Sequence, residues 1–92
     1  RMEVSGRDLK EIEATFDLVA ANIVHDVLLE LSDDLARVAG DGGALLLSGL
    51  IDGQQGENIK QCFEDKGFRL IEKRMDGQWC ALLLKKVETP EQ

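Results

Sequence analysis

Hydrophobic and polar positions along the chain follow two different rhythms. From Thr15 to Ile23 the run Thr-Phe-Asp-Leu-Val-Ala-Ala-Asn-Ile is nearly continuously apolar, the pattern of a parallel strand covered on both faces. Val24, Val27, Leu28, Leu31, Leu35 and Val38 then recur at spacings of three and four, with Asp26, Glu30, Asp33, Asp34 and Arg37 mostly elsewhere, which predicts one amphipathic helix. Gly40-Asp41-Gly42-Gly43 ends it, because glycine takes the positive φ that helix ends and tight turns use. A second buried strand is predicted from Ala44 to Ile51. Asp52 is the candidate cap of a further helix, with Ile59, Cys62 and Phe63 on its apolar face and Gly67 as its stop. Phe68 to Arg74 and Gln78 to Lys86 predict strands joined as a hairpin around Asp76-Gly77. Arg1 to Val4 is a possible strand stub, and Val87 to Gln92 a polar tail in which Pro90 cannot donate to a ladder.

Strand alternating with helix and closing on a hairpin predicts an α/β fold with a mainly parallel sheet and one antiparallel strand. At 92 residues there is room for one small domain of marginal stability. A formal charge of -7 argues against broad attraction to nucleic-acid backbones and fits a basic protein partner better. Cys62 and Cys80 lack the paired spacing of a zinc site and the density of a disulfide scaffold, so both are expected to be reduced. With neither a signal peptide nor a long apolar run, the expected location is the cytoplasm, with no membrane span. The first residue is Arg1, not Met, which predicts that the chain is part of something longer.

Three stretches carry a family likeness. Phe16-Asp17-Leu18-Val19-Ala20-Ala21-Asn22-Ile23, then Leu28, Leu31 and Leu35, then Gly42-Gly43-Ala44-Leu45-Leu46-Leu47-Ser48-Gly49-Leu50, together resemble the PrmA family, which methylates ribosomal protein L-eleven. Gly67-Phe68 and Trp79-Cys80-Ala81-Leu82 are similar to that family's last two strands. The resemblance implies a Rossmann-like, S-adenosylmethionine-dependent methyltransferase domain with sheet order three-two-one-four-five-seven-six, in three α/β/α layers in the complete parent. This chain would be a single partial domain over its whole length, a half-sheet of strands four to seven, with the stub at Arg1 to Val4 as a candidate for the tail of strand three.

The family's cofactor loop follows strand one, and its ribose-binding acidic residue ends strand two; neither is present here. Gly40 to Gly43 follows a helix and precedes a strand, the reverse of the context a cofactor loop needs, and reads as a turn. S-adenosylmethionine is therefore the implied cofactor of the complete domain, with weak or no binding expected of this chain. Asn22 is the candidate catalytic residue. It ends a parallel strand, where open α/β sheets place ligands, and similar methyltransferases use Asn or Asp there to aim an acceptor amine at the methyl group. The competing reading is an Asn that caps the next helix. Asp8 resembles the acidic residue after strand three that accepts from the adenine amine. Arg7 stands where the family has Gly, so an ordinary loop aspartate competes with that reading. Asp8 and Asn22 are the candidate cofactor contacts, and Ser48-Gly49-Leu50 the candidate substrate channel, against a reading in which Gly49 serves close packing. His25 reads as a helix-surface residue and Trp79 as a core residue; no metal cluster is visible.

The implied function is that of a C-terminal fragment of a protein N-methyltransferase, expected to be inactive alone, whose parent acts on a basic ribosomal protein. A stand-alone interaction module derived from such a half-domain is the alternative. Because strand four pairs with strand one in the family order, the edge from Phe16 to Asn22 is expected to be unpaired and to promote self-association.

Overall fold

The chain's computed structural model describes residues 2–4 and 14–87. The elements run β1 (Met2–Val4), β2 (Leu18–Asn22), α1 (His25–Glu30), α2 (Ser32–Ala39), β3 (Ala44–Ile51), α3 (Gln54–Glu64), β4 (Phe68–Asp76) and β5 (Trp79–Lys86). They build a five-stranded sheet in the order β1-β2-β3-β5-β4. β1, β2 and β3 are mutually parallel, and β5 runs antiparallel to both β3 and β4. The order β2-β3-β5-β4 is the four-five-seven-six half-sheet expected from the resemblance.

One face of the sheet is dry. Val19, Ala21, Leu45, Leu47, Leu50, Cys80, Leu82 and Leu84 form a single buried cluster with Leu28, Leu35, Val38, Ile59 and Phe63 of the helices. Phe63 meets Phe68 edge to face, with ring centroids 5.7 Å apart. Leu18, Ala20, Leu46, Ala81 and Leu83 alternate with these residues and are only half-buried, so the apolar character of β2 serves one helix layer among the described residues, not two. A cleft of about 310 Å³ lined by Leu46, Glu72, Arg74, Ala81 and Leu83 lies on that second face.

The structure departs from the sequence expectations at four places. The single predicted helix is two, with a turn at Leu31, where the Ser32 hydroxyl donates to the Leu29 carbonyl at 2.9 Å. A serine hydroxyl that competes for a backbone carbonyl weakens the helical ladder at that point. Asp52 does not cap α3: its N-cap is Gly53, at φ 100, and no side chain caps it. The hairpin turn is displaced by one residue, since Asp76 pairs with Trp79 and leaves Gly77 (φ 64) and Gln78 as the two turn residues. Finally, the expected open edge is not open. β1 pairs with Val19, Ala20 and Ala21 in the position that the family order gives to strand one. The Phe16 N–H is bonded to the Val38 carbonyl at 2.8 Å. The predicted self-association through Phe16 to Asn22 therefore loses its basis, because the backbone groups that would template it already have partners.

The packing makes a clear stability prediction. Phe63→Ala empties the center of the core and is expected to cost about 3–5 kcal/mol in urea unfolding. Trp79→Ala, at a residue 48% exposed, should cost well under that.

Candidate functional site

Parallel pairing of β2 with β3 sets Asn22, the last residue of β2, opposite Ser48 of β3. Beyond Leu47 the ladder to β5 is interrupted. Leu47 pairs with Leu82 and Leu50 with Cys80, so Ser48 and Gly49 together face Ala81 in a β-bulge. Gly49 is at φ +85, and a Cβ placed on it would lie 2.6 Å from Asn22 Oδ1. Glycine is thus required twice, for its backbone angle and for the space that the Asn22 amide occupies. Asn22 is exposed, and α1 begins after Val24 with no side-chain cap, so the helix-capping role for Asn22 is excluded.

Ser48 and Gly49 line a cleft of about 230 Å³ whose other walls are Arg74, Met75, Asp76, Trp79, Cys80 and Ala81. Trp79 was expected in the core. It instead stands at the mouth of this cleft, opposite Ile51. Leu50 is fully buried on the helix-bearing face and does not border the cleft. Asn22 is not a lining residue; it meets the cleft across Gly49. Asp8, in the segment 5–13, lies outside the described residues.

Two further contacts hold this end of the sheet. The His25 side chain is only 14% exposed, not a free surface residue. Gln54 Nε2 donates to Asn58 Oδ1 at 2.7 Å, which leaves Asn58 Nδ2 to donate to His25 Nε2 at 3.2 Å. The imidazole proton then sits on Nδ1 and is donated to Asp26 Oδ1 at 2.8 Å. His25 so ties the start of α1, three residues beyond Asn22, to α3. The second contact is the ion pair from Lys73 Nζ to Asp52 Oδ1, at 2.5 Å. Together with the Asp52 N–H bond to the Gln78 carbonyl at 2.8 Å, it pins the end of β3 to the hairpin. The hydrogen bond from Lys73 holds the Asp52 carboxyl below its ordinary value of 3.8 and raises the Lys73 ammonium. Burial pushes the Cys80 thiol up, which keeps it protonated beside the cleft. Sequence reasoning missed both contacts, since they join residues far apart in the chain.

Gly40 and Gly42, at φ 71 and 75, lie at the opposite end of β3, as a turn and not a cofactor loop. Among the described residues no group of three His, Cys, Asp or Glu could hold a metal ion.

Residues 1–87 match the family described as Ribosomal protein L11 methyltransferase (PrmA). The chain belongs to the PrmA family. It is 40% identical over 86 residues to a ribosomal protein L11 methyltransferase of Desulfotalea psychrophila, covering 94% of this chain and 29% of that relative. A crystal structure of the ribosomal protein L11 methylase from Lactobacillus delbrueckii subsp. bulgaricus superposes with a TM-score of 0.79 at 28% identity, over 87% of this chain and 41% of that one. A 16S rRNA N2 G1207 methyltransferase of T. thermophilus, in complex with AdoMet and guanosine, shares the fold at a TM-score of 0.55 and 21% identity, over 87% of this chain and 23% of that one. The chain spans about 29% of the length of the Desulfotalea relative.

Two predictions test this geometry. Gly49→Ala should destabilise the chain by about 1–3 kcal/mol, and by measurably less in an Asn22→Ala background, because the clash with the amide is then removed. Equal costs in both backgrounds, measured by urea unfolding, would show that Asn22 does not fill that space. The Asp52–Lys73 pair sets an acid limit. A carboxyl whose folded value is lowered adds stability that is present above 3.8 and is lost as pH falls through the lower folded value. Asp52→Asn should therefore flatten the fall in melting temperature on that acid limb.

Proposed function

We propose that this chain is the C-terminal part of the catalytic domain of an S-adenosylmethionine-dependent protein methyltransferase, and that the complete protein N-methylates a basic ribosomal protein. The observation that carries this reading is the placement of Asn22: an exposed amide at the end of a parallel strand, held against Gly49, next to a cleft walled by Ser48 and Trp79. A side-chain amide oxygen accepts a hydrogen bond from an amine and so orients the nitrogen lone pair. Catalysis of this kind depends largely on positioning. Trp79 and Met75 offer an apolar wall, and the indole face also attracts a cationic amine.

The side chains present suit the acceptor side of the transfer. S-adenosylmethionine, when bound by the complete domain, supplies the methyl group on a sulfonium center. Asn22 borders the place where amine and methyl would meet. Asp8 is the remaining candidate contact on the adenine side. The glycine-rich strand–loop–helix that would hold the cofactor does not occur in this sequence, so this chain alone should bind it weakly or not at all. No helix among the described residues is long and apolar enough to cross a membrane. A ribosomal-protein substrate places the reaction in the cytoplasm.

The complete protein, assayed with methyl-labelled S-adenosylmethionine and purified ribosomal proteins, should transfer label to one of them. Asn22→Ala should lower kcat by about 100-fold, as expected for a misplaced reacting group, with little change in the cofactor's KM. An unchanged kcat would remove Asn22 from the mechanism. Calorimetry of this chain with S-adenosylmethionine should show no tight binding; tight binding would overturn the assignment of the donor side to residues outside it.

A further inference from the structure

The end of the sheet remote from Asn22 carries a second feature that methyl transfer does not use. Arg69 of β4 and Lys85 of β5 are direct cross-strand partners, and both are exposed. Like charges directly opposite one another destabilise an antiparallel pair. Every other Lys and Arg among the described residues has a carboxylate within 4.0 Å: Arg37 with Asp34, Lys60 with Glu64, Lys66 with Asp33, Lys73 with Asp52, Arg74 with Glu72 and Lys86 with Asp41. Arg69 and Lys85 have none, in a chain with 18 acidic residues against 11 basic ones.

The two unneutralised cations open onto a cleft of about 410 Å³ lined by Gly42, Arg69, Lys85, Lys86 and Val87. Clefts that hold small molecules run from about 300 to 1,000 Å³. Lys86 borders the cleft, but its side chain lies with Phe68 on the helix-bearing face. Its Nζ is held there by the Ala36 carbonyl at 3.2 Å, 5.9 Å from the center of the Phe68 ring, which leaves Arg69 and Lys85 as the cations of the opposite face. At Gly42 the backbone is bare, with nothing within 4 Å of where a Cβ would stand.

We infer that this cleft is an anion site for a small phosphate-bearing ligand, separate from the acceptor cleft at the other end of the sheet. A guanidinium fork beside an ammonium group matches a phosphate, which presents several charged oxygens to donors arriving from different directions. A monocarboxylate would leave part of that charge unmatched.

The test is an NMR titration of the isotope-labelled chain with sodium pyrophosphate, against sodium chloride at matched ionic strength and against citrate. Saturable shifts should be confined to Gly42, Gly43, Arg69 and Lys85 to Val87, and should leave Asn22 and Gly49 unmoved. Arg69→Gln and Lys85→Gln should each weaken binding by about tenfold, the change expected on losing one charge-assisted contact. Both variants should unfold at a temperature no lower than the parent chain, because each relieves the like-charge pair. Non-saturating shifts, shifts equal to those with chloride, or unaltered affinity in the two variants would each overturn the site. Tighter binding of citrate than of pyrophosphate would overturn the phosphate assignment. The readout is binding alone, so it stands or falls independently of methyl transfer.

Discussion

The bulge at Ser48 and Gly49 is the feature on which the architecture of this half-sheet turns. Up to Leu47 the residues of β3 that enter the core are the odd-numbered ones, Leu45 and Leu47; after the bulge the core residue is Leu50. A strand without the extra residue would send Gly49 into the core and Leu50 to the other face, since side chains alternate strictly along a strand. One inserted residue therefore keeps a leucine in the core and leaves Ser48 and Gly49 on the cleft. The missing Cβ of Gly49 then admits the Asn22 amide. Core packing and site geometry are set by the same distortion.

A second bulge does similar work in β4. Leu70 pairs with Leu84 on the helix-bearing face, but Glu72 pairs with Leu83 on the other. The unpaired residue between them, Ile71, changes the parity. Glu72 and Arg74, which form an ion pair, thereby avoid burial beneath α3. Lys73 is turned to the side of Asp52 instead.

These distortions mark where the sequence was legible and where it was not. Ala44–Ile51 was readable to the residue because a run apolar but for Ser48 and Gly49 lies between Gly43 and Asp52-Gly53, and α3 was readable from Ile59 and Phe63. The order of strands followed from the resemblance. Asn22 could be placed at a strand end by the same reasoning, whereas Ser48 and Gly49 fall inside β3, at its bulge. Trp79 could not, because β5 is apolar on both parities: Cys80, Leu82 and Leu84 on one, Trp79, Ala81 and Leu83 on the other. Nothing local says which set the helices cover. The break at Ser32 and the Asn58–His25 bridge were invisible for a related reason, since each depends on a hydrogen bond that competes with, or lies outside, the periodic pattern. The pairing of β1 with β2 was missed because the expectation took its sheet order from the complete fold. In this chain the nearest extended segment satisfies the edge of β2 instead.

What remains is how much of a reaction such a half-sheet can hold. The position of Asn22 is determined by its pairing with Ser48, the space at Gly49 and the tie from α1 to α3 through His25, and all of these lie within the described residues. The shape around Asn22 is thus set by contacts among the described residues. Its stability is another matter, because Leu46, Ala81 and Leu83 leave an apolar face without a helix layer among the described residues, and such a face weakens a small domain. Methyl transfer needs the donor and the amine fixed in one geometry at once, and binding energy held on one side cannot supply the other. On the function proposed above, a cleft of this kind without a cofactor loop would be a positioning element, its chemistry complete only when a second wall presents the methyl group to a nitrogen oriented by Asn22.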